Sequence, residues 1–119
     1  MISLKSILTE QSNEYIMTGE TYTKAIQSPS KSEREFIETN NLDMNAVPHV
    51  RITIRRNDGS KPVFYMSEYG KTHCDALTNL VKYIFRNVDY VIGDGELKTA
   101  ITRNRVKPPS CRDLKPKMF

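Results

Sequence analysis

Apolar and polar residues alternate through Val50-Arg51-Ile52-Thr53-Ile54-Arg55. This two-residue period is that of a strand with one buried face, and it predicts β structure over residues 50–56. Asn57-Asp58-Gly59-Ser60 follows with turn chemistry, because Gly59 can take a positive φ without steric cost. Residues 62–67, PVFYMS, then supply a second strand, and Pro62 at its start fits a strand-entry or edge position. The pattern therefore predicts an antiparallel hairpin.

A different period takes over afterwards. Leu77, Leu80, Val81, Ile84, Val88 and Val91 recur at three- and four-residue steps. This predicts a helix from about Lys71 to Tyr90 with one apolar stripe. Asp75, Asn79, Lys82, Arg86 and Asp89 fall on its polar side. Thr72 with Asp75 three residues on is a suitable N-cap, and Gly70 gives the chain freedom to turn from strand into helix. Gly93-Asp94-Gly95 breaks the pattern, and Tyr90-Val91-Ile92 has the alternative of a short strand. A last helix from Glu96 to about Arg105 would bury Leu97, Ala100 and Ile101. Pro108, Pro109 and Pro116 speak against regular structure beyond it.

The first half of the chain is harder to pattern. Ile2, Leu4, Ile7 and Leu8 fit a short amphipathic helix over residues 1–10. Residues 11–30 are mostly polar, with only Tyr15, Ile16, Met17 and Tyr22 suited to burial. Ser32 and Glu35 have capping-box spacing, which predicts a short helix to about Thr39 that buries Phe36 and Ile37 and ends at Asn40-Asn41. The sum is a small single-domain α+β protein, a hairpin packed on helices with an extended basic C-terminus. Residues 1–106 form the expected compact domain and 107–119 the tail.

Charge changes this picture most. The last 22 residues carry Lys98, Arg103, Arg105, Lys107, Arg112, Lys115 and Lys117 against Asp113 alone, a net of +6, while the preceding 97 are at −2. The net +4 of the 119-residue chain is thus a basic tail on a nearly neutral body. Such segregation is an electrostatic handle for nucleic acid or an acidic protein surface. Arg51 and Arg55 share the polar face of the first strand, with Arg56 and Lys61 at the turn. An aromatic on that face, Tyr65 or Phe64, would set a ring among cations, an arrangement suited to stacking on unpaired bases. The expected contact set is therefore Arg51, Arg55, Arg56, Lys61, Arg103, Arg105, Lys107, Arg112, Lys115 and Lys117.

Catalytic chemistry finds no such footing. His73-Cys74-Asp75 brings a thiol to a helix start, but neighbouring helical residues point about 100° apart, so both flanking groups cannot address Cys74. His49, His73, Cys74 and Cys111 lack metal-ligand spacing, and Gly93-Asp94-Gly95 is no phosphate loop, since Glu96 puts negative charge where phosphate would sit. No enzyme activity, metal or cofactor is expected. With two cysteines, no membrane-length apolar run and no secretory signal, the expectation is a cytoplasmic protein with reduced thiols.

Three segments resemble known families. Gly70-Lys71-Thr72-His73-Cys74-Asp75-Ala76-Leu77-Thr78-Asn79, following a hairpin, resembles the G-x-T-x-x-[ED]-A-x-x-N stretch of HicB-type antitoxins, although the long N-terminal segment departs from that family. The hairpin-then-helix order is similar to the second half of a double-stranded-RNA-binding domain. That family opens its last helix with a lysine pair, where this chain has Thr72 and His73. Leu8-Thr9-Glu10 resembles the [LI]-x-E site at which a phage protease trims internal head proteins, and implies a leader cleaved after Glu10. The leading expectation is a non-enzymatic nucleic-acid or anionic-surface binder, of the kind found among phage or mobile-element accessory and inhibitor proteins. The alternatives are a protein–protein module, as a homodimer or a partner-blocking protein using the hairpin edge, and the phage internal head protein.

Overall fold

The structure, a computed structural model, describes residues 14–116. The helix expected over residues 1–10, the Glu10 cleavage site and Lys117 lie outside the described residues.

The hairpin forms where the alternation places it. Strand β2, Val47–Arg56, and strand β3, Pro62–Tyr69, pair antiparallel around the Asn57–Ser60 turn, with Gly59 at φ 84°. A bulge between Ile54 and Arg55 shifts the register next to the turn. The strand that polarity hides is β1, Tyr15–Lys24, which pairs with β2 along all ten of its residues. Its alternation is confined to Tyr15, Met17 and Gly19, which are buried, while Ile16 and Thr18 are exposed. The later positions give no apolar period: Glu20, Thr21 and Tyr22 are half-buried, and Thr23 and Lys24 are exposed. A two-residue strand β4, Lys115–Pro116, adds parallel to β1 at Glu20–Thr21, so the sheet order is β3-β2-β1-β4.

Helix α1, Lys31–Thr39, starts two residues earlier than expected. Its capping box is Ser30 with Glu33: the Glu33 N–H donates to Ser30 Oγ (3.2 Å), and the Ser30 N–H donates to Glu33 Oε1 (2.8 Å). Helix α2, His73–Arg86, carries the apolar stripe and is capped by Thr72, whose Oγ1 accepts from the Asp75 N–H at 3.0 Å. It stops at Asn87, and Val88–Val91 forms a separate single turn, α3. The last helix, α4, is Gly95–Thr102; Asp94 caps it, accepting from the N–H groups of Glu96 (2.9 Å) and Leu97 (3.1 Å).

One sheet face makes the core. Met17, Val50, Ile52 and Ile54 meet Ala76, Leu77, Leu80 and Ile84 of α2, with Ile92, Leu97, Ala100 and Ile101 closing one end. Most of these are under 3% exposed. Burial of that order, at about 25 cal/mol per Å² of apolar surface, is the main stabilising term of the fold. At Gly70 the strand passes so close to α2 that space, rather than the turning freedom the sequence implies, is what glycine supplies there.

The C-terminal segment runs back over the sheet edge. Val106 is buried, Leu114 packs on the core beside Gly19, and a 3₁₀ turn at Cys111–Asp113 precedes β4. Regular structure therefore persists past the prolines: Pro116 sits on an edge strand, where no N–H is required of it. The two cysteines are not reduced thiols. Cys74 and Cys111 form a disulfide, which their separation of 37 residues concealed and the return of the tail makes possible.

Candidate functional site

The second face of the sheet is left partly open to solvent. Alternation along each strand sends to it Ile16, Thr18, Glu20 and Tyr22 from β1, His49, Arg51, Thr53 and Arg55 from β2, and Tyr65, Ser67 and Tyr69 from β3. The register aligns them in rows across the strands: Thr18, Thr53 and Tyr65; then Glu20, Arg51 and Ser67; then Tyr22, His49 and Tyr69.

The last row is a band of rings. Tyr22 and His49 have centroids 5.2 Å apart, and His49 and Tyr69 6.0 Å. Helix α1 covers this end, with Phe36 edge-on to Tyr69 at 5.2 Å. His49 is buried, its Nδ1 hydrogen-bonded to the Val47 carbonyl at 2.9 Å. Burial also pushes the Tyr69 hydroxyl above its ordinary pKa, helped by the carboxylates of Glu33 and Glu68.

The other rows lie open. Tyr65 is 63% exposed and Ile16 41%. The Arg51 guanidinium lies over the Tyr65 ring, 4.9 Å from its centroid. Arg55 is exposed two positions further along the same strand face. Thr53, in the middle of the patch, is 6% exposed because these longer side chains roof it. The ring-among-cations arrangement therefore involves Tyr65, while Phe64 alternates to the opposite face and packs against the core. Glu20 brings one negative charge to the patch, in register with Arg51.

The remaining expected contact residues scatter. Arg56 turns to the core side, where it lies over the Tyr15 ring (5.3 Å) and pairs with Glu96 at 2.7 Å. Arg105 pairs with Glu14 at 3.0 Å. Both cations are locally neutralised. Lys61 is exposed beside the hairpin turn, and Arg103 at the end of α4. Lys107 and Arg112 are exposed on the returning C-terminal segment, and line a groove of about 950 Å³ along β1 with Ile16 and Thr18. Lys115 is part of β4. The structure thus sets Arg51 against a ring with Arg55 on the same face, and places Lys107, Arg112 and Lys115 along β1 on the other side of the sheet from β3.

The residues weighed for catalysis are occupied elsewhere. His73 points its Nε2 at the Tyr22 carbonyl (3.0 Å), and the Cys74 sulfur is committed to Cys111. Among the described residues no group of three His, Cys, Asp or Glu side chains is placed to hold a metal, and no helix is long and apolar enough to cross a membrane. Sequence reading missed the β1 contributions, Ile16, Thr18 and Glu20. The Tyr15-Ile16-Met17 cluster was their signal, and the polar residues around it masked the period.

Neither a protein-family model, a curated protein nor a solved structure matches this chain.

Proposed function

We propose that this protein is a non-enzymatic binder of single-stranded nucleic acid, which it engages across the open face of the sheet. The observation that carries the reading is Tyr65, a largely exposed ring flanked on one flat surface by Arg51 and Arg55. An aromatic side chain standing on a sheet offers a base a stacking partner, and neighbouring guanidinium groups offer its phosphates hydrogen bonds. Tyr65 and the exposed Ile16 leave apolar area on this face that a bound base would cover. The exposed Lys61, Lys107 and Arg112 add long-range attraction for a polyanion.

Fluorescence anisotropy with labelled single- and double-stranded oligonucleotides at two salt concentrations tests this reading. Single strands should bind more tightly than duplex. Tyr65→Ala should weaken binding by about 5- to 150-fold, the range of one base–aromatic stack. Arg51→Ala and Arg55→Ala should each lower the salt slope by about 0.7. Glu20→Gln removes the one opposing carboxylate of the patch and should tighten binding. Absence of binding at low salt would refute the proposal and direct attention to an acidic protein surface.

A second reading rests on β3, which among the described residues is the outer strand of the sheet, with β2 on one side only. A free edge of eight residues can pair with a second copy. Light scattering would then report a dimer insensitive to salt.

A further inference from the structure

We infer that the Cys74–Cys111 bond is a site of thiol–disulfide exchange with a dithiol reductant, and that its cleavage releases the C-terminal segment from the edge of β1. The inference is independent of the nucleic-acid reading.

Both cysteines are exposed, so a reductant reaches them without unfolding the domain. Among the described residues the bond is also the one covalent tether of this segment to helix α2. After buried Val106, residues Lys107 to Asp113 are exposed except for half-buried Pro109. Among the described residues the segment is otherwise attached through Leu114 and Pro109 beside Gly19, and through two residues of parallel pairing at Glu20–Thr21. The Asp113 carboxylate bonds the Ser110 N–H and hydroxyl, both at 2.9 Å, which shapes the 3₁₀ turn but anchors it to nothing else. This segment is one wall of the groove of about 950 Å³ whose other wall is β1 from Tyr15 to Glu20. Releasing it would bare the backbone edge of β1, which an extended peptide or another sheet edge can join.

The two sulfurs differ as leaving groups. Cys74 occupies the first turn of the 14-residue helix α2, just after the Thr72 cap. A thiolate there is stabilised by the positive end of the helix, whereas Cys111 has only a single 3₁₀ turn. A reductant thiolate should therefore attack Cys111 Sγ. That step forms a mixed disulfide at Cys111, breaks the Cys74–Cys111 bond, and expels Cys74 as thiolate. The second thiol of the reductant then loses its proton and attacks the reductant sulfur of the mixed disulfide, which breaks the bond to Cys111 Sγ and expels Cys111 as thiolate. Two electrons pass from the dithiol, which leaves as a disulfide, and its two protons are balanced by one taken up at Cys74 and one at Cys111, which end as thiols.

Limited trypsin digestion of the full oxidised chain, with and without dithiothreitol, tests the consequence. Lys107 and Lys115 precede proline, so Arg112 is the reporter within the segment. Cleavage after Arg112 should accelerate by about tenfold or more on reduction, while cleavage after Arg51 and Arg55 in β2 stays slow. Cys111→Ser should show the fast Arg112 cleavage without reductant. Unchanged Arg112 cleavage would overturn the proposal. So would parallel opening of the β2 sites, since the bond would then hold the whole domain. Glutathione, which has a single thiol, should be trapped on Cys111 in peptide mass analysis; finding it on Cys74 would overturn the assigned order of attack.

Discussion

Gly70→Ala is the substitution that most directly tests how helix α2 sits on the sheet. Gly70 is buried at the end of β3, and its N–H donates to the Pro48 carbonyl at 3.1 Å. A Cβ at this position would stand 2.7 Å from the Ala76 nitrogen and 2.9 Å from the Ala76 Cα. Those are backbone atoms of the first turns of α2, and the Ala76 N–H is itself bonded to the Thr72 carbonyl at 3.0 Å. No rotamer change relieves the clash; the strand end and the helix must separate. Separation loosens Ala76 and Leu77, both no more than 1% exposed, from β2. Overpacking by one methyl costs about 1–3 kcal/mol, and contact with fixed backbone places this case near the top of that range. The reduced freedom of the unfolded chain returns about 0.4–1 kcal/mol. The net loss is about 2 kcal/mol, or a fall of about 8 °C in Tm for a domain of this size. Urea unfolding of the oxidised protein, followed by circular dichroism, measures it, with Gly93→Ala as the control because no atom lies within 4 Å of a Cβ there. Gly70→Ala within about 0.5 kcal/mol of the parent, at an unchanged m-value, would refute the close contact of strand and helix.

Tyr15→Phe tests the opposite kind of defect, because the Tyr15 hydroxyl is buried with no hydrogen-bond partner among the described residues. Removing it should leave stability unchanged or raise it by about 1 kcal/mol. Burial also raises the Tyr15 pKa, so its contribution is complete below the ordinary tyrosine value of 10.0 and is lost as pH rises through the folded one; Tyr15→Phe should resist alkaline unfolding better than the parent, as followed by circular dichroism against pH. On the acid side, hydrogen bonds from Ser30 hold Glu33 below its ordinary pKa, and those from Ser110 do the same for Asp113. Their stabilisation is present above the unfolded pKa values and is lost as pH falls through the folded ones, so carboxyl NMR titration should place both midpoints low, with Ser30→Ala moving Glu33 alone only part of the way back, since the backbone N–H at position 30 still donates to it.

The local elements were largely legible because each rests on a short-range cause. Alternation at Val50, Ile52 and Ile54 belongs to β2, the three- and four-residue spacing of Leu77, Leu80 and Ile84 to α2, and Thr72 caps its helix through a bond three residues long. Half of the candidate site was equally accessible, since Arg51, Arg55 and Tyr65 share a face as soon as the hairpin register is drawn. Displacement of the α1 cap from Ser32 to Ser30 shows the limit of such reading: two serines offered the same spacing to a glutamate three residues on, and backbone geometry chose between them.

The amino-acid sequence by itself determined the hairpin, the capped amphipathic helix and the basic character of the C-terminal segment, since these follow from periods and charges read over a few residues. Only the tertiary structure decided the rest. The middle strand β1 exists because β2 offers ten residues of backbone pairing, which mostly polar side chains do not announce. Cys74 and Cys111 meet because the segment after Val106 returns across the sheet, and nothing local records a contact 37 residues apart. The same return gives the tail cations their setting, with Arg105 held by Glu14 and Lys107 and Arg112 exposed along the groove beside Asp113. Periodicity and capping act through neighbours in the chain; strand pairing, disulfide closure and the neutralisation of a charge act through neighbours in space.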